Sequence, residues 1–150
     1  MLRPYGNIFV NMKRISILLV ALLTLVGCQD QVQQIAGTYS YKISGRGTIA
    51  GINQTLDDEI GTMEIVYTNS RSALVTFNAL RGHAYSTTAA VDGKQLSLDP
   101  FERDVKEGGL NYLVTASGEG TVYGNTLLII LKYEGNELQA DSLTLLCKRN

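Results

Sequence analysis

From Ile35 onward almost every apolar segment alternates with polar residues, and that period of two limits the chain to strands with one face buried. Ile35, Gly37, Tyr39, Tyr41 and Ile43 fall on one side, with Ser40, Lys42 and Ser44 on the other. The alternation returns in Met63, Ile65 and Tyr67; in Ala73, Val75 and Phe77; and in Leu96 and Leu98. It continues in Leu110, Tyr112 and Val114, and in Leu143, Leu145 and Cys147. Thr126 to Leu131 is apolar on both sides, which predicts a strand whose outer face is also covered.

Turn residues punctuate these runs. Asp92-Gly93 predicts a two-residue hairpin, Gly124-Asn125 and Gly135-Asn136 mark two further reversals, and Asn69-Ser70 a weaker one. The runs amount to roughly eight or nine short strands joined by tight turns, the pattern of an antiparallel meander that closes into a barrel. One interruption differs. Asp99-Pro100-Phe101-Glu102 offers an N-cap, a proline at the first helical position and a glutamate placed to reach back, so the spacing predicts a short helix over 100–106 ending near Gly108. Residues 39–51 and 112–124 share six of thirteen positions, including glycines suited to sharp bends in strands.

The first 34 residues are of another kind. Lys13 and Arg14 precede the apolar run Ile15–Val26, which is shorter than the roughly 20 residues a membrane-crossing helix needs. The run ends in Leu25-Val26-Gly27-Cys28, the processing site of a bacterial lipoprotein, so residues 1–27 are expected to be a cleaved signal with Met12 as its true start. Cys28 is then the lipidated first residue, residues 28–34 a polar tether, and residues 35–150 the folded domain. Cleavage would remove three basic residues and no acidic one, leaving a formal net charge of −4. That charge disfavours nucleic acid and a polybasic membrane patch, leaving Cys28 as the membrane attachment. Gln29 after the lipidated cysteine points to outer-membrane sorting.

The opening Ile35-Ala36-Gly37-Thr38-Tyr39, together with Gly118-Glu119-Gly120-Thr121-Val122-Tyr123-Gly124-Asn125-Thr126-Leu127, resembles the lipocalin-like or calycin-like barrel domains of Gram-negative lipoproteins. The resemblance implies an all-β antiparallel barrel of about eight strands and brings no substrate with it.

Catalytic sets are sparse. His83 is the only histidine, and its neighbours Arg81 and Tyr85 fit an ordinary strand start. No H-E-x-x-H, C-x-x-C or phosphate loop occurs, so no catalytic residue, metal ligand or cofactor is expected. Asp57-Asp58-Glu59 reads as a solvated loop, and Cys147 as a small buried apolar residue. Tyr39, Tyr41, Tyr67, Phe77, Tyr85 and Tyr112 fall on faces predicted to point inward. An eight-stranded barrel either fills itself with such side chains or holds one small ligand. The expectation is a binding module of the envelope, its barrel holding a small apolar or amphiphilic molecule with those six residues as lining. The alternative is a packed barrel whose outer surface, Thr126–Leu131 foremost, meets a protein or glycan.

Overall fold

The computed structural model describes residues 35–150; the expected signal segment, Cys28 and the expected tether lie outside the described residues. Eight strands follow one another: β1 (Gly37–Ile49), β2 (Ile52–Asn69), β3 (Ser72–Ala79), β4 (Tyr85–Asp92), β5 (Gln95–Glu107), β6 (Leu110–Tyr123), β7 (Thr126–Glu134) and β8 (Leu138–Arg149). Each pairs antiparallel with the next, and β8 returns to β1, closing the barrel. Inward positions are apolar along nearly every strand. Met63, Ile65, Val75, Val91, Leu96, Leu98, Ile129, Leu143 and Leu145 form the core, while Ser40, Lys42, Thr62, Glu64 and Thr88 face outward. Apolar inside and polar outside is the reverse of a lipid-spanning barrel.

The turns follow local chemistry. Gly108 and Gly109 both take positive φ between Glu107 and Leu110, the geometry a two-residue hairpin of matching twist needs. The β4–β5 turn sits one residue later than the sequence predicted, on Gly93-Lys94, because pairing Val91 with Leu96 keeps both side chains inside.

The helix expected over 100–106 does not form. Those residues belong to β5, where Phe101, Arg103, Val105 and Glu107 continue the inward period after a register break between Leu98 and Phe101. Pro100 marks that break: the ladder with β4 has ended at Ala89–Leu98, and on the β6 side residues 99 and 100 stand opposite Ser117 alone, so the missing N–H falls at a bulge. Thr87 takes over there, its hydroxyl donating to the Asp99 carbonyl at 2.8 Å.

One end of the barrel is sealed. The Tyr39 hydroxyl donates to the Ile35 carbonyl at 2.7 Å, and Arg149 donates to both the Ala36 carbonyl and the Tyr39 oxygen at 2.9 Å. Both ends of the described chain meet here, beside the β2–β3, β4–β5 and β6–β7 turns. Cys147 lies fully buried, and burial pushes its thiol up to about 12. It packs as an apolar side chain.

Candidate functional site

The other end is built differently because β3 and β4 are short. The β3 ladder reaches β2 only as far as Gly61–Ala79, followed by a bond from the Leu80 amide to the Ile60 carbonyl at 2.9 Å. Beyond that level Ile52–Glu59 of β2 has no ladder to β3, and Asp99–Glu107 of β5 has none to β4. Side chains bridge the interval. Arg103 reaches across to the Glu59 carboxylate in an ion pair, and both Glu107 oxygens accept the Asp57 amide, at 3.0 and 2.8 Å. Between these bridges, the 80–84 loop and the inner wall lies a cavity of about 1010 Å³, lined by Ile43, Leu56, Tyr85, Val105, Tyr133 and Leu143 among others. Its size matches small-molecule sites, which run to roughly 1,000 Å³.

The floor is a connected polar cluster. Tyr41 and Tyr85 both donate to Glu59 Oε1, at 2.8 and 3.0 Å, and Arg103 donates to the Tyr133 hydroxyl at 2.9 Å. The guanidinium also lies 4.3 Å from the centre of the Tyr85 ring, which covers its face. Beneath it Phe77 stacks on Tyr85 with centroids 4.9 Å apart, Phe101 lies 5.5 Å from Tyr85, and Tyr41 meets Phe77 edge-on at 5.7 Å. Tyr41 can hold that position because its cross-strand partner is Gly61, where an added Cβ would stand 2.9 Å from the ring. The side chain of Arg103 is 2% exposed and that of Glu59 23%, so the carboxylate is the part of the pair nearer water.

Burial sets the protonation of the cluster. It raises the hydroxyls of Tyr41 and Tyr85 above the ordinary phenol value and pushes Tyr133 up to about 12, so all three stay neutral donors. Burial alone would lower Arg103, but Tyr133, Tyr85 and Glu59 together outweigh it and keep the guanidinium charged. Glu107 is raised by burial against the opposing effect of its bond from the Asp57 amide. Among the described residues no group of three or more His, Cys, Asp and Glu is placed to hold a metal ion.

The six aromatic candidates separate by depth. Tyr85 lies in the cavity wall, with Phe77 and Tyr41 in the layer beneath. Tyr112 is half-buried on β6 against the core and does not reach the cavity lining. Tyr39 belongs to the sealed end, and Tyr67 lies beside it, 43% exposed next to the β2–β3 turn. Neither lines the cavity, because alternation fixes which way a side chain faces but not how far along the barrel it sits. Asp57-Asp58-Glu59, expected as a solvated loop, is part of β2: Glu59 continues the inward period of Met63 and Ile65 and meets Arg103, and the extra residue at 57–58 shifts the β1–β2 register so that Leu56 also faces inward. Sequence reading also passed over Arg103 and Tyr133. The odd-numbered period through Phe101, Arg103, Val105 and Glu107 was the signal available, and the helix reading concealed it.

No family model matches this chain, and none of the curated proteins does. Solved structures do. A designed barrel, mFAP2b, bound to DFHBI aligns with TM-score 0.52 and 15% identity over 81% of this chain and 98% of its own. A redesigned β-barrel, mFAP1, also bound to DFHBI, aligns with TM-score 0.52 and 12% identity over 81% and 100%. A candidate outer membrane protein from Bacteroides fragilis aligns with TM-score 0.52 and 14% identity over 83% of this chain, which spans 54% of that one. At such identities the likeness is one of fold: an all-β, eight-stranded antiparallel barrel.

Proposed function

We propose that this chain is a lipid-anchored binding protein of the cell envelope whose lipocalin-like barrel holds a small apolar or amphiphilic molecule at its open end, working by binding and not by catalysis. The observation that carries this reading is the cavity of about 1010 Å³ between β2, β5 and the 80–84 loop, with aliphatic and aromatic inner walls, one compact polar cluster at its floor and charged side chains around its mouth. Two barrels of the same fold hold DFHBI, which supports small-molecule binding as something this architecture accommodates. Outer-membrane residence rests on the Leu25–Cys28 processing site and Gln29, with the Bacteroides fragilis neighbour as lesser support.

Mass spectrometry of the protein taken from its own membrane, under non-denaturing conditions, tests the proposal. A reproducible mass increment lost on denaturation is expected. A bare protein mass, together with no heat of binding for DFHBI or for medium-chain fatty acids and their esters, overturns it. A second reading has one observation in its favour: Ile130 and Leu146 are exposed on the outer faces of β7 and β8, beside the half-buried Leu128. Such a patch fits a protein or glycan partner at the outer surface.

A further inference from the structure

We infer that the sealed end of the barrel is a docking face for the phosphate-bearing headgroups of the bilayer that holds the anchor, and that it keeps the open end turned away from that bilayer. The inference rests on lipidation of Cys28.

The charge of the described residues is divided along the barrel. At the sealed end the turns and the end of β8 carry Arg71, Lys94, Lys148 and Arg149 against Asp92 alone. Elsewhere the described residues carry six basic and twelve acidic side chains. The net negative charge that argued against a basic membrane patch therefore belongs to the rest of the barrel. Arg71, Lys94 and Lys148 are exposed, and Tyr123 stands 62% exposed beside the β6–β7 turn. Tyrosine has an apolar ring and a polar tip, the combination that suits the boundary between headgroup and acyl chain. Cations at this distance from an anionic leaflet are attracted to it, and carboxylates are repelled.

The tether limits the alternatives. The chain enters β1 at the sealed end, and the seven peptide steps from Cys28 to Ile35 reach at most about 25 Å. A strand of 13 residues is about 43 Å long, or about 33 Å along a barrel axis tilted some 40° from it. With the open end on the anchoring membrane, the tether would have to run that whole height, which exceeds its reach. Leu80 is exposed at the opening, but Lys42, Arg81 and Lys106 there are offset by Asp57, Asp58, Glu102 and Asp104, so that rim has no excess of cations for an anionic surface to attract. Ligand exchange is then with the aqueous side or with a facing partner.

The test uses the mature protein as the cell produces it, with the acyl chains confirmed by mass. Cysteines introduced by Asn125→Cys at the sealed end and Asn136→Cys at the open end each carry a fluorophore. The proteins are placed in vesicles of phosphatidylcholine with or without phosphatidylglycerol, containing headgroup-nitroxide lipid. Quenching at position 125 is expected to exceed that at 136 roughly twofold or more with phosphatidylglycerol. The gap should narrow in high salt and in the variant Arg71→Glu, Lys94→Glu, Lys148→Glu. Equal quenching at both positions, or a gap indifferent to phosphatidylglycerol, overturns the docking face and leaves the anchor standing. A mass without acyl chains overturns the anchor itself, and the tether argument with it.

Discussion

The sealed half and the open half of this barrel are made from the same strands, yet they are held together by different forces. In the sealed half, backbone ladders run round the whole circumference and the interior is filled by aliphatic and aromatic side chains. In the open half, β3 and β4 have ended, and β2 and β5 meet through an ion pair and a carboxylate on an amide. A ladder specifies its partner by geometry repeated at every residue, whereas a side-chain bridge rests on two residues. The first region is built to be rigid, and the second leaves room for a guest at the cost of burying charge.

The largest test of that contrast falls on the packed layer. Phe77→Ala removes the ring on which Tyr85 stacks and against which Tyr41 packs, and a cost of about 3–5 kcal/mol is expected by denaturant unfolding. A loss under about 1 kcal/mol would mean the interior below the cavity is loosely filled. Next is the bridge. Arg103→Met leaves Glu59 with its two tyrosine donors but without its cation, for an expected loss of about 2–3 kcal/mol, reduced from the fully buried case because Glu59 keeps some exposure. Adding Glu59→Gln should restore most of that stability, since the stranded charge is gone. If the double variant is as unstable as the single one, the pair itself holds β2 to β5.

These two layers also differ in how plainly the sequence announced them. Met63, Val75, Phe77, Leu96, Leu145 and their neighbours were legible because burying one face of a strand imposes a period of two that composition cannot hide. The polar floor was not. Glu59 lies in the inward period of Met63 and Ile65, but a carboxylate beside two aspartates reads as solvent-facing, and the extra residue of β2 opposite β1 breaks the alternation next to it by bringing Leu56 inward. Arg103 was obscured by an N-cap, a proline and a glutamate in helical order, all of which serve instead at the point where β5 leaves β4. Local propensity gave way to the ladder with β6, which continues from Phe101 through Glu107. Which tyrosines reach the cavity depends on depth along the barrel, and strand alternation contains no such information.

A smaller effect distinguishes the second bridge. Burial raises the Glu107 carboxyl above its ordinary value, so the folded protein holds that proton more tightly than the unfolded chain. The contribution of this group to stability is fully present below the unfolded carboxyl value and is lost as pH rises through the folded one. This is the opposite sign to a salt-bridged carboxylate. Relative to Glu107→Gln, the parent protein should therefore become progressively less stable from about pH 4 toward neutrality, read from unfolding midpoints across that range. A difference that stays constant, or grows in favour of the parent, would show that the Asp57 amide outweighs burial.

The smallest expected effect compares turns at the two ends. Ala50, in the β1–β2 turn at the open end, has φ of 48°, and Gly51 after it has 82°. A two-residue hairpin of matching twist wants positive φ at both places, and alanine accepts that region only against its Cβ. Ala50→Gly should relieve the strain and stabilise the fold by about 0.5–1 kcal/mol after the added freedom of the unfolded chain is counted. Gly93, at φ 60° in the β4–β5 turn of the sealed end, is the converse. An added Cβ there meets nothing within 4 Å, so Gly93→Ala tests backbone strain alone and should cost about 1 kcal/mol. If both changes destabilise, unfolded-chain entropy dominates at Ala50 and its turn is not strained. If they take opposite signs, the β1–β2 turn at the open end carries backbone strain at Ala50 that the β4–β5 turn of the sealed end avoids by using glycine.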